Sequence, residues 1–188
     1  APFPAQVATV ASSISGTLYN VVAGRMANVG DRKFVDVDTG FRHGMLLQDD
    51  GTVWNFGSNA SGQLGVTGGN HQPTPVDGIR AKAIAAGVYG EYIVALDGTV
   101  YASGTNGGGQ LGRGFLGDGD EGRQHVFQPV EGLKASRVWA GEHSAVALGE
   151  NDRMYAWGGN GSRQLGRTGS AATVPEPFAG TIPGTPVE

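Results

Sequence analysis

Short apolar stretches alternate with Gly-rich turns along most of the chain, and their order recurs three times. Each round holds a first apolar stretch, a second one, a tight turn, a third stretch, and a loop rich in Gly and Asn. The first stretches are 33–37, 82–86 and 137–140, the second 44–47, 92–96 and 144–148, and the third 52–56, 99–103 and 153–157. None has a 3.6-residue period of useful length, so the pattern predicts short antiparallel strands and an all-β chain.

Tight turns join the second and third stretches of each round. They are Asp50-Gly51, Asp97-Gly98 and Asn151-Asp152. Asp-Gly between apolar stretches predicts a β-hairpin in which both central residues adopt positive φ. After each loop, a Pro opens a further stretch, at Pro75-Val76, Pro129-Val130 and Pro177-Phe178. Because Pro cannot donate to a ladder, we predict an outer strand at each of these places.

The triplet Gln-Leu-Gly marks the end of the loop in each round. It occurs at 63–65, 110–112 and 164–166, at spacings of 47 and 54 residues. Self-similarity at this period indicates stacked or radially arranged units, and four short strands per unit are typical of a β-propeller blade. We therefore predict β-propeller-like blades over 33–180, divided into 33–81, 82–135 and 136–180.

Each round resembles the repeats of the regulator of chromosome condensation family, from residue 33 to about 180. The first round supplies Gly40, His43, Leu46-Leu47, Asp50-Gly51, Trp54, Gly57, Asn59 and Gly62 through Gly65. The second supplies Gly87, Ala95-Leu96, Asp97-Gly98, Tyr101, Gly104, Asn106 and Gly109 through Gly112. The third supplies Gly141, His143, Ala147-Leu148, Tyr155, Trp157-Gly158, Asn160 and Gln164 through Gly166.

The chain departs from the family pattern in three ways. Gly90 stands where His43 stands in the first round, and His143 is offset by one residue. Arg163 replaces a loop Gly, and the third round lacks the Asp-Gly turn. The resemblance implies a propeller of about seven blades, whereas this chain supplies three, like a bacterial or phage variant of the family. Three twisted sheets cannot close a ring, so the remaining blades must come from elsewhere.

Both ends of the chain fall outside the repeat. Residues 1–32 are rich in Ala, Val, Ser and Thr, and residues 181–188 continue a Pro-rich tail. We predict extended N- and C-terminal arms that become ordered on a partner. The alternative is that residues 7–11 or 18–23 supply a strand that completes a blade.

Composition and charge exclude several classes of function. With a net charge of −4 and no dense Lys/Arg run, the chain is not expected to bind nucleic acid. It has no Cys for thiolate chemistry, and no apolar stretch long enough for a membrane span. No convergent acid–base set stands out, so we predict that the chain is not an enzyme and takes no cofactor.

The His and Trp residues are interpreted as parts of the fold. We predict that His43 and His143 satisfy backbone groups between strands, and that Ser144 faces away from His143 and forms no triad. Trp54, Trp139 and Trp157 are predicted to lie in the core or between blades.

An insertion lengthens the loop of the second round and carries the sequence Gly-Asp-Gly-Asp-Glu at 117–121. Its carboxylates could hold a hard cation such as calcium, with a solvated acidic loop as the alternative. The metal candidates are Asp118, Asp120 and Glu121. We expect the same loop to face a partner. The partner-binding candidates are Phe3, Arg113, Phe115, Asp118, Asp120, His125 and Phe127.

These features predict a non-enzymatic structural or interaction module. We expect it to form a homo-oligomer or to dock on a larger protein assembly, such as a virion capsid or tail, or a cell surface. Two alternatives stay open. The resemblance implies guanine-nucleotide exchange on a small GTPase, and the chain could also be a fragment of a larger propeller protein.

Overall fold

The computed structural model describes residues 33–117 and 124–178, and the regular elements in these ranges are all β-strands. The prediction of an all-β chain is therefore confirmed. The strands are β1 (Phe34–Thr39), β2 (His43–Gln48), β3 (Thr52–Gly57), β4 (His71–Ala86), β5 (Gly90–Ala95), β6 (Thr99–Gly104), β7 (Gln124–Ala140), β8 (Ser144–Gly149), β9 (Met154–Gly158) and β10 (Ala172–Pro177).

Successive strands pair antiparallel to form three four-stranded sheets, here called blades 1, 2 and 3. Two long strands serve two blades each. The first part of β4 pairs with β3 up to Arg80, and from Ala81 onward β4 pairs with β5. In the same way β7 pairs with β6 up to Lys134 and with β8 from Ala135. Each long strand is thus the outer strand of one blade and the inner strand of the next.

The Pro residues lie in the outermost strands, as their chemistry predicts. Pro75 lies opposite Trp54, Pro129 opposite Tyr101, and Pro177 opposite Tyr155. An outer strand has a ladder on one side only, so the missing amide of Pro leaves no donor position empty inside the sheet.

The hairpins use a different turn from the predicted one. Gly51 and Gly98 have φ of 85° and 84°, but Asp50 and Asp97 do not have positive φ. The side chain of Asp50 accepts a hydrogen bond from the Thr52 amide at 2.9 Å, and this bond favours a negative φ at Asp50. The expectation that both turn residues have positive φ is wrong, because only the Gly needs that conformation.

Most apolar side chains are buried between blades rather than within one. Between blades 1 and 2, which we call the first joint, lie Met45, Leu47, Val53, Ile84 and Ile93. Between blades 2 and 3, the second joint, lie Tyr92, Val94, Val100, Val138, Ala147 and Trp157. Since each sheet contributes one face to each joint, removing a blade would expose the face of its neighbour.

The recurring Asn organises each loop. The Oδ1 atom of Asn59 accepts from the Leu64 amide at 3.0 Å, and its Nδ2 donates to the Val66 and Gly68 carbonyls at 2.7 and 3.1 Å. Asn160 repeats this set of bonds, and Asn106 repeats the first of them. The bonds draw the loop inward, so the Leu of each Gln-Leu-Gly triplet is buried.

Arg163 occupies a backbone position that suits Gly. Its φ is 60°, while Gly62 and Gly109 at the equivalent positions have φ of 70° and 82°. A side chain in this left-handed conformation crowds its own backbone, and Arg163 is therefore strained.

We predict that Arg163→Gly raises the free energy of unfolding by about 1 kcal/mol, because Gly adopts this conformation without steric cost. Urea denaturation of the variant and the parent measures the difference. Gly62→Arg is the matched control and should lower the free energy of unfolding. A less stable Arg163→Gly protein would show that contacts of the Arg163 side chain outweigh its backbone strain.

Candidate interaction site

A hydrogen bond to a Gln carbonyl connects each blade to the next. At the first joint, the Ser103 hydroxyl at the end of β6 donates to the Gln63 carbonyl at 2.6 Å. At the second joint, Nε1 of Trp157 at the end of β9 donates to the Gln110 carbonyl at 2.8 Å. Ser103 and Trp157 occupy equivalent positions, since each precedes the Gly that ends its strand. The Gln of the Gln-Leu-Gly triplet is therefore an acceptor for the following blade.

The Gly of the same triplet receives an aromatic ring from the following blade. The Phe127 ring lies against Gly65, and the Trp157 indole lies against Gly112. A Cβ atom at Gly112 would lie 3.0 Å from Trp157 Nε1, too close without a shift of the ring. In the first two triplets the Gly thus makes room for the neighbouring blade, whereas at Gly166 this space is filled by the ring of Phe178, which follows β10 of blade 3.

Blade 3 has a face that no described residue covers in this way. Trp139 is 48% exposed, whereas Ala85 at the equivalent position of blade 2 is 1% exposed. Val146, Leu148 and Met154 on the same face are half-buried. Their counterparts in blade 2 are the buried residues Tyr92, Val94 and Val100. We call these four residues of blade 3 the open face. Trp139 therefore lies neither in the core nor between two described blades, contrary to expectation.

The loop beside the open face is exposed as well. Gln63 and Gln110 are each 3% exposed, because the next blade covers them. Gln164, the third member of the series, is exposed. Both the apolar face and the carbonyl-bearing Gln of blade 3 therefore lack the cover that their counterparts have.

The first joint contains a buried polar group that the second joint does not have. His43, Asn55 and Glu91 are buried, with Nε2 of His43 at 3.9 Å from Oε1 of Glu91. Asn55 donates from Nδ2 to Oε2 of Glu91 at 3.1 Å and to the Leu64 carbonyl at 2.7 Å. Contrary to expectation, the ring nitrogens of His43 make no hydrogen bond to backbone groups.

Burial dominates the protonation equilibria of this group. It raises the pKa of Glu91 well above its usual value, an effect that the Asn55 hydrogen bond partly opposes. It lowers the pKa of His43 to about 4, against the influence of the Gly90 carbonyl. That carbonyl already accepts from the Gly87 amide at 2.8 Å.

A groove of about 600 Å³ lies at the loops of blades 2 and 3. Its walls include Tyr89 and His143, whose rings stack with centroids 6.0 Å apart. His143 is exposed and lies 3.5 Å from Glu142, so it too differs from the expected backbone-satisfying role. Tyr89 was missed by the sequence analysis. The signal for it was its position, two residues after Gly87, which matches His143 after Gly141.

The predicted partner-binding residues do not form one surface in the described part of the chain. Phe127 packs into the first joint, and Phe115 and His125 are exposed. Arg113 donates from Nη2 to the Ala102 carbonyl at 2.6 Å, and burial lowers the pKa of its guanidinium to about 10. Phe3, Asp118, Asp120 and Glu121 lie outside the described residues.

In the described part of the chain, no cluster of three or more His, Asp or Glu side chains could hold a metal ion. Nor does a helix long and apolar enough to cross a membrane occur in 33–117 or 124–178.

Comparison with known proteins identifies the blade type. Residues 50–94 match the family model of the regulator of chromosome condensation (RCC1) repeat. The match begins in the β2–β3 hairpin and ends in β5, and the blades are similar to RCC1 repeats. In the solved structures, the chain aligns with yeast RCC1 (Prp20) bound to Kap60, with a TM-score of 0.68 and 25% identity over 81% of this chain and 38% of that one. Human WBSCR16 shares the fold, with a TM-score of 0.65 and 24% identity over 78% of this chain and 38% of that one.

Two human proteins are also similar in sequence to this chain. The X-linked retinitis pigmentosa GTPase regulator is 29% identical over 81% of this chain and 16% of its own length. The E3 ubiquitin-protein ligase HERC2 is 30% identical over 65% of this chain and 3% of its own length. The chain thus spans a small part of these relatives.

We predict that Trp157→Phe lowers the free energy of unfolding by about 2 kcal/mol, because it removes both ring volume and the bond to the Gln110 carbonyl. Trp139→Phe is the matched control and should change stability by less than about 0.5 kcal/mol, since Trp139 is exposed. Thermal or urea unfolding checks both values. Equal effects of the two substitutions would contradict the assigned role of Trp157.

Proposed function

We propose that the chain is a non-enzymatic protein-interaction module whose docking surface is the open face of blade 3. The observation that carries the proposal is the exposure of Trp139, Val146, Leu148 and Met154 at positions that are buried in the other joints. A contiguous apolar face of this kind marks a protein contact more often than a surface left to water.

The repeat specifies what the partner must present. At both existing joints the incoming blade brings apolar side chains and one hydrogen-bond donor for the Gln carbonyl. On blade 3 the corresponding acceptor is the Gln164 carbonyl. We therefore infer that the partner is another blade of this type, supplied by a second copy or by a larger assembly.

Burial of the open face would supply a useful part of the association energy. Fully burying an exposed Val, Leu or Met side chain contributes about 1.5–3 kcal/mol, and the three that accompany Trp139 are already half-buried, so each would contribute part of this amount. Large aromatic residues at the centre of an interface also tend to dominate its affinity. A role within a virion or on a cell surface is a narrower prediction that rests on the composition of the chain.

We expect the protein to self-associate in a concentration-dependent manner, and Trp139→Asp to abolish this association without unfolding the chain. Sedimentation velocity over a micromolar to submillimolar series measures the effect, with circular dichroism as the check on folding. Leu96→Asp is the matched control, because Leu96 is 61% exposed and belongs to a hairpin of blade 2, not to the open face. Association that survives in Trp139→Asp but is lost in Leu96→Asp would place the contact elsewhere.

If the parent protein is monomeric throughout that series, self-association is excluded. The open face would then have to serve a different chain. In that case, the decisive experiment measures binding to a separate protein that carries several blades of this type. Loss of that binding upon Trp139→Asp would support the open face, and binding equal to the parent's would reject it.

A second candidate function is the regulation of a small GTPase. The relative that matches 81% of this chain is called a GTPase regulator, and this name favours the candidate. Stimulated release of a labelled guanine nucleotide from a GTPase would support it. Release at the intrinsic rate across a panel of small GTPases would leave the interaction module as the function.

A further inference from the structure

The first joint holds an acid and an imidazole that face each other away from water. Glu91 on β5 is 0% exposed and His43 on β2 is 1% exposed. The second joint has Gly90 and Ala145 at the equivalent positions, so its centre is apolar. The two joints of one chain therefore differ in whether they enclose an acid beside an imidazole.

The hydrogen bonds of the pair leave most of its polar atoms without a partner. Oε2 of Glu91 accepts one bond, from Asn55. Oε1 of Glu91 and both ring nitrogens of His43 have no partner in hydrogen-bond geometry, and 3.9 Å separates Oε1 from Nε2. The atoms that face each other are thus an acceptor oxygen and a ring nitrogen able to bind the same proton.

A carboxylate in this position could not be stable without a second group to balance it. Burying an ionised carboxyl with a single neutral donor is costly, and so is burying an unpaired imidazolium. Two arrangements avoid an unbalanced charge: a neutral acid beside a neutral imidazole, or a carboxylate beside an imidazolium. Both contain one proton, which lies on oxygen in the first and on nitrogen in the second.

The strands packed around the pair bring few other charges. Asp38 on β1 accepts from the Ala86 amide through Oδ2 at 3.0 Å, which fixes that carboxylate to the backbone of blade 2. β3 brings the neutral Asn55, and β6 brings Tyr101 and the hydroxyl of Ser103, which donates to the Gln63 carbonyl. β4 brings alanines at this end. None of these groups is a cation that could balance a Glu91 carboxylate.

We propose that the first joint retains one proton between Glu91 and His43 at neutral pH, and that loss of this proton at higher pH weakens the joint. The second joint, which lacks such a pair, does not share this response. The site is a pH-sensitive contact between two blades, separate from the open face of blade 3.

The sign of the effect follows from counting protons. In the unfolded chain Glu91 titrates near pH 4.5 and His43 near 6.5, so that chain binds one of the two protons between these values and none above 6.5. The folded joint binds one proton in both ranges. The contribution of the pair to the free energy of unfolding is therefore constant from pH 4.5 to 6.5 and decreases as the pH rises above 6.5.

The test compares the parent protein with Glu91→Gln, which places a neutral amide of the same shape beside His43. The folded variant binds no proton at this pair above about pH 4.5. The number of protons taken up on unfolding therefore differs by one between the variant and the parent over the whole range. We expect the ratio of unfolding constants, parent over variant, to rise about tenfold per pH unit from pH 4.5 through neutrality. His143→Gln is the control and should leave the pH profile of the parent unchanged.

A pH-independent ratio would overturn the proposal, because it would show that folding takes up no proton at Glu91. Should Glu91→Gln fail to fold, NMR of the parent protein decides the matter. We expect the carboxyl carbon of Glu91 or the ring nitrogens of His43 to report one bound proton at pH 7. An ionised carboxyl beside a neutral imidazole would equally overturn it.

Discussion

A four-stranded blade has two faces, and neither can be covered by the blade's own residues. This constraint accounts for most of what the structure shows. Blade 2 buries one face on blade 1 and the other on blade 3, and its strand β5 is accordingly buried at all six positions. The Gln carbonyl and the small Gly of the loops in blades 1 and 2 are the contact points at which the following blade is aligned. A face without a following blade is left apolar and exposed, as on blade 3.

The chemistry of the joints differs even though their geometry repeats. The second joint is filled by hydrocarbon and by the Trp157 indole, with the Lys82 ammonium bonded to the Glu150 carboxylate at 2.9 Å on its surface. The first joint encloses the polar side chains of His43, Asn55 and Glu91, which share one hydrogen bond, from Asn55 to Glu91. A repeat fold tolerates this variation, because the backbone bonds of each sheet and the Asn-centred loops are independent of what fills the joint.

The sequence was sufficient for the strands, the outer Pro positions and the loop motif, because these follow from local chemistry such as the missing amide of Pro75. It could not identify partners across the joints. In a stacked blade both faces are buried, so the alternation of apolar and polar residues along a strand no longer distinguishes buried from exposed positions. For this reason the sequence did not distinguish Glu91 from other strand residues. The same limitation placed Trp139 in the core, since its position is buried in blade 2 and exposed in blade 3. Phe127 was assigned to a surface because the contact that covers it comes from the loop at Gly65.

The strands β4 and β7 belong to two sheets each, and this has a consequence for how the fold comes apart. β4 changes its pairing partner between Arg80 and Ala81, and β7 does so between Lys134 and Ala135. Blade 2 therefore shares a continuous strand with each of its neighbours and cannot separate from them without disrupting these strands. No flexible linker separates one sheet from the next at these points. The blades are therefore joined by continuous strands as well as by packing contacts, and we expect neighbouring blades to unfold cooperatively.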